Sequence, residues 1–284
     1  MVYSKDFPVN FVIETLEKIN LVSFEEPNKN RLDSYIIAHT FEELHKIDSI
    51  DIERMGMLEY KYNFCFDKYR TGIQPMSLFK LIATRPDLYM ELVRHTYLPR
   101  SEKRKKQEIK EKEEASVSPE LKKQLFESSY NLLRNFNFIP GLNEDGTIGS
   151  DALKSWISSV RDLAVQNDRA EITDVNIGEL LSKYPKQDEI WFPDIICDII
   201  EQYNSKDMKS GFSMGIFNGQ KVTSRAAGSG GHIERDRAEI FNKIYEHRKI
   251  SHPIVAKVFK ELSLNYIRDA ERMDESALRE NLEY

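Results

Sequence analysis

The sequence predicts an all-α protein: an irregular helical array or HEAT-like α-solenoid with a glycine-rich loop near its C-terminal end. Three observations point there. Apolar residues return at three- and four-residue intervals through most of the chain. The segments with that period follow one another across short polar connections, several opened or closed by proline. Charged residues make up 31% of the 284, while glycine and proline number only 12 and 10, a composition suited to a helix-rich protein. No repeat of fixed length is present, so the solenoid reading rests on helix spacing alone.

The first helix is expected over 11–20, where Val12, Ile13, Leu16 and Ile19 share a face, before a polar loop holding Pro27 and Asn30. A second spans 34–47 on Ile36, Ile37, Phe41 and Leu44, and a third 51–66 on Ile52, Met55, Leu58 and Tyr62. Pro75 and Pro86 sit at first-turn positions of two more. Their apolar faces hold Leu78, Leu81 and Ile82, then Leu88, Tyr89, Leu92 and Val93, with Pro99 closing the second.

Residues 101–118 form the expected boundary between an N-terminal helical region, 1–100, and a C-terminal helical domain, 119–284. This stretch has six basic and five acidic residues and almost nothing apolar. Lys103, Arg104, Lys105 and Lys106 could meet phosphates, but mixed-sign runs face water, so a solvated linker or protruding charged helix is expected. Pro119 restarts the helix after Ser118 as N-cap, with Leu121, Leu125, Leu132 and Leu133 inward. The loop 137–149 contains Pro140-Gly141 and Asp145-Gly146. It matches part of a calcium loop but lacks the alternating acidic order and the closing glutamate. Ser150 is expected to cap a helix to Gln166, and Thr173 another to Tyr184, ended by Pro185. Trp191-Phe192-Pro193 makes an apolar corner into 194–203, where Ile195, Ile196, Ile199 and Ile200 are expected to be buried. Two long helices finish the chain, 233–249 and 253 to about 274, and the polar tail beyond Met273 is expected to fray.

The densest cluster of signals lies at 211–238, which holds six of the twelve glycines. Gly211 and Gly215 sit four apart in a short helix over 207–217, a spacing that lets another helix come close. Asn218-Gly219 is a natural helix stop. Residues 221–225 read as a short extended segment, and Gly228, Gly230 and Gly231 feed a helix starting at His232. Two readings stay open. Free amides at that helix start, with Arg225 and Arg235, could hold an anion. Alternatively, Glu234 or Asp236 pairs with Arg225 and pins the loop to the body. Neither the G-x-x-x-x-G-K-[ST] pattern nor a preceding strand is present.

The order Phe212, Gly215, Asn218, Val222, Arg225, Gly230-Gly231, Glu234-Arg235, Ala238 resembles the C-terminal end of a group of large bacterial multidomain proteins, some similar to phage-defence components. The likeness extends upstream through Ile139-Pro140-Gly141, Gly149 and Trp191-Phe192-Pro193. Those proteins carry an Arg-Gly pair before the valine, where this chain has Gln220-Lys221. The resemblance implies an all-helical accessory region and supplies no catalytic residue.

The remaining classes of chemistry narrow the choice. A net charge of −6 argues against a general binder of nucleic acid or membrane surfaces. The six histidines make no HExxH, and Cys65 and Cys197 no CxxC, so no metal or other cofactor is expected. His232 and Glu234 lack the P-C-x-x-C partner of a zinc deaminase, while His247 and His252 are expected at the surface. Gly211 to Gly215 matches G-x-S-x-G spacing in helical surroundings, so Ser213 is not expected to be a nucleophile. Two buried thiols suit a reducing cytoplasm, and no stretch reaches the ~18 apolar residues of a membrane span. The expected function is therefore a non-catalytic protein-interaction or scaffold module with a protein partner, using Asn218, Arg225, Glu234 and Arg235 as interface or clamp. The alternative is phosphate, nucleotide or nucleic-acid binding at the same loop.

Overall fold

The computed structural model describes residues 8–19, 34–47, 49–66, 72–114, 119–143, 145–185, 192–220 and 230–282. Among them are thirteen α-helices and no strand. They are α1 Val9–Lys18, α2 Ser34–Leu44, α3 Ile52–Lys61, α4 Met76–Thr84, α5 Pro86–Thr96, α6 Glu102–Glu114, α7 Pro119–Asn135, α8 Ser150–Gln166, α9 Ala170–Ser182, α10 Asp194–Tyr203, α11 Lys206–Asn218, α12 His232–Arg248 and α13 Pro253–Leu282. A lone bridge joins Leu142 to Ile148 across the loop before α8.

The chain forms two compact units and passes between them three times, where the sequence suggests one boundary at 101–118. The first unit holds Met1–Thr96 and Ser116–Phe138; the second holds Tyr97–Ala115 and Ile139–Tyr284. The charged stretch thus contains α6 of the second unit, and α7 returns to the first.

The first unit begins with the apolar faces of α1, α2 and α3. Ile13, Leu16, Phe41, Leu44, Met55 and Leu58 close on one another, each burial being worth roughly 1.5–3 kcal/mol. Tyr62 is buried with them and donates its hydroxyl to the Leu16 carbonyl at 2.8 Å, so its polar end is satisfied. Asp51 caps α3 by accepting from Arg54 N at 2.9 Å. Glu59, fully buried, accepts from Leu78 N at 2.6 Å and Ser77 N at 3.3 Å. It thereby fills the open start of α4, with His45 Nε2 2.5 Å from the same carboxylate. Phe136 at the end of α7 meets Phe79 of α4 and Tyr89 of α5, at ring separations of 5.7 and 6.0 Å.

The second unit is built on close helix contacts. α9 and α11 approach until backbone meets backbone, because Gly178 faces α11 while Gly211 and Gly215 face α9. This is the close approach the glycine spacing suggests. α12 and α13 pack along one another, with the Phe241 ring 6.2 Å from Phe259 and 5.6 Å from Tyr266. The Ser263 hydroxyl also donates to the Ala238 carbonyl at 2.8 Å. Phe192, Phe212 and Phe259 join α11 and α13 at the centre, with ring separations of 4.8 to 6.1 Å.

Several expectations need correction. Ser150 is the first residue of α8 and not its cap, since Gly149 holds the cap position. Ile52, expected inward, is 45% exposed, and Ile195 is only half-buried. α9 starts at Ala170, so Thr173 is no cap but a buried residue in its first turns. The turn is set instead by Arg169, whose buried guanidinium donates to the carbonyls of Tyr97 and Asn167 and, in a fork, to Glu108 at 3.0 and 2.7 Å. α13 continues to Leu282. Its polar end consists largely of good helix formers, with Arg272–Asp269 and Arg279–Glu275 pairs one turn apart. His252 is buried, not at the surface, because it turns inward onto α10.

Candidate functional site

The four residues singled out in the sequence do not form one site. Asn218 is exposed at the last position of α11. Arg225 and the extended segment 221–225 lie outside the described residues, as does Trp191 of the apolar corner. Glu234 is buried in the first turn of α12. Arg235 pairs with Asp274 of α13, a partner that no local signal marks.

The start of α12 is occupied from within. Gly231 N donates to Asp274 Oδ1 at 2.8 Å, and Arg235 closes on the same carboxylate. The Arg235 guanidinium, and then the Gly231 amide, hold the Asp274 carboxyl below its ordinary range. Gly231 lies flush on α13, where an added Cβ would stand 2.3 Å from the Ala270 carbonyl oxygen. A helix start attracts anions through its free amides and its dipole. Here the anion is the chain's own side chain, and the Gly230-Gly231 turn acts as a clamp between α12 and α13.

A second polar cluster sits where α12 turns into α13. α10 presents Asp194, Asp198 and Glu201 on one face. Arg248 pairs with Asp194 and donates to the Phe192 carbonyl at 2.8 Å. His252 Nε2 lies 3.1 Å from Asp198 Oδ1, and Ser251 Oγ lies 3.0 Å from His252 Nδ1. The Ser-His-Asp order is that of nucleophilic catalysis. However, Arg248 Nη1 stands 3.5 Å from the same Nδ1. The nearest helix-start amides, at Ile254 and Val255, donate to Glu201 at 2.7 and 2.9 Å, so neither is left to meet an oxyanion. We assign the cluster to holding the α12–α13 turn on α10.

A groove of about 750 Å³ lies between α11 and α13 in the second unit. Lys206, Lys209, Ser210, Ser213, Met214 and Phe217 line one wall, spaced as one face of α11. The opposite face of that helix, carrying Met208, Gly211 and Phe212, is buried. From α13 come Ile254, Lys257, Val258, Glu261 and Leu262. Met214 and Phe217 remain 43% and 53% exposed, and the Phe217 ring lies 6.0 Å from buried Tyr266. Lys209 donates to Asn204 Oδ1 at 2.8 Å. Such a surface can bury apolar side chains and meet carboxylates at its rim. The sequence shows its residues only as the solvent side of two helices, because nothing local says that those sides face each other.

Among the described residues no group of three or more His, Cys, Asp and Glu side chains is placed to hold a metal ion. No described helix is long and apolar enough to cross a membrane. No family model, curated protein or solved structure matches the sequence.

Proposed function

We propose that this chain is a non-catalytic, helical protein-interaction module, an irregular or HEAT-like helical array that docks a protein partner in the α11/α13 groove. The resemblance of its C-terminal half suggests a bacterial defence assembly as the setting. Its two buried free cysteines support a reducing compartment. One observation carries the proposal: Met214 and Phe217 stay exposed on a helix whose other face is locked by glycine contacts. Large apolar side chains held over an apolar floor gain roughly 25 cal/mol per Å² when a partner covers them, and aromatic anchors in such clefts commonly dominate binding. The groove replaces the glycine-rich loop as the preferred interface, because Asp274 already engages the start of α12.

The test is fluorescence anisotropy with a panel of labelled amphipathic-helix peptides, using wild type and Phe217→Ser. Saturable binding that weakens at least about tenfold in the variant is expected. Equal binding by both proteins, or none by either, would count against the groove.

A further inference from the structure

The groove has a direction. The Phe212 ring lies beside Phe259 and the Phe217 ring beside Tyr266, so α11 and α13 run the same way and both start at the same end. Lys206, Lys209 and Lys257 lie toward that end, and Met214, Phe217 and Leu262 toward the other. The three lysines therefore gather at one end of the groove, which Ile254 shares, while the other end holds the exposed Met214 and Phe217 beside Ser213, Glu261 and Asn265. The positive end of the α11 dipole adds to the lysines, while that of α13 is offset by the Glu201 carboxylate seated on it. The amides at Met208, Ile254 and Val255 are already taken by Ser205 and Glu201, so this end attracts through charge and dipole rather than open donors. Glu261 is the acidic side chain among the lining residues, one turn beyond Lys257.

We infer that the occupant is an amphipathic helix lying antiparallel to α11 and α13, its apolar stripe on Met214 and Phe217 and its carboxylates near its C-terminal end, against the lysines. This rests on the groove being the docking surface. The α11 wall runs from Lys206 to Phe217, about 17 Å at the helical rise, enough for about three turns of a partner. An antiparallel partner also brings the negative end of its own dipole to the basic end. Nucleic acid fits less well, since the distal half holds Met214, Phe217, Leu262 and Glu261 with no lysine or arginine in its lining and the chain as a whole carries net charge −6.

Two labelled peptides of about four turns and identical composition would separate the possibilities. Both carry a leucine stripe; three glutamates stand in the last turn of one and in the first turn of the other. The second is the better helix in isolation, because acids favour the N-terminal turn, so intrinsic helicity works against the expected result. Anisotropy at low ionic strength with the full chain should show the C-terminal-glutamate peptide binding about tenfold tighter. The order should be lost or reversed in Lys206→Glu/Lys257→Glu, both exposed positions, with an unchanged melting temperature. Equal affinity of the two peptides, insensitive to the charge reversal but lost in Phe217→Ser, would overturn the orientation and charge inference while leaving the groove. Failure of both peptides to bind would overturn the groove reading as well.

Discussion

A methyl group on Gly211 would stand 1.9 Å from the Val175 carbonyl oxygen, and one on Gly178 2.0 Å from that of Met208. These are backbone atoms that cannot rotate away, so α9 and α11 would have to separate. Gly211→Ala should cost about 3 kcal/mol or more, at the severe end of overpacking, read as the shift in urea midpoint. Gly149→Ala, whose new carbon would meet ordinary 3.6 Å contacts, should stay within about 1 kcal/mol of wild type. Asp274 supplies a pH signature. Its carboxyl is held below the ordinary range by Arg235 and Gly231, so the unfolded chain takes up this proton first as pH falls. Its stabilisation is fully present above the ordinary carboxylate value and is lost as pH drops through the lowered one. Asp274→Asn should therefore be less stable at neutral pH and show a shallower acid limb in thermal unfolding. The Cys197 thiol is pushed up to about 12 by burial, so it should resist alkylation at pH 8 until the protein unfolds. Rapid native labelling at Cys197 would contradict its placement.

At the scale of elements, periodicity located most helices within a few residues, because each buries a stripe that its own sequence displays. Misplaced features were set by distant partners. α6 reads as a solvated charged run, yet Glu108 reaches Arg169, 61 residues away. The start of α9 follows that arginine rather than the plausible cap Thr173. His252 looks like a surface histidine beside a proline but lies against Asp198, 54 residues earlier. Of the candidate site, the glycine spacing was legible as a close-contact signal. The Asp274 clamp was not, since helix starts advertise open amides and not who fills them. Glu108→Ala would leave the fully buried Arg169 side chain without its paired carboxylate. The expected loss is about 3–5 kcal/mol, with faster hydrogen exchange across 102–114. A change under about 1 kcal/mol would mean that α6 is held by other contacts.

For the whole molecule, the division into two units makes the effect of each variant local. Gly211→Ala and Glu108→Ala belong to the second unit, so hydrogen exchange in the α1–α3 core should change little below global unfolding. The second unit holds both a glycine-clamped scaffold and the groove between α11 and α13, with lysines at one end and Met214 and Phe217 toward the other. The most direct test is a hydrogen-exchange footprint of the full chain with and without the C-terminal-glutamate peptide. Protection gained on 206–217 and 253–265, with the start of α12 unchanged, is the result expected if the groove docks a helix. Protection centred on 230–238, or none at a saturating peptide concentration, would contradict it.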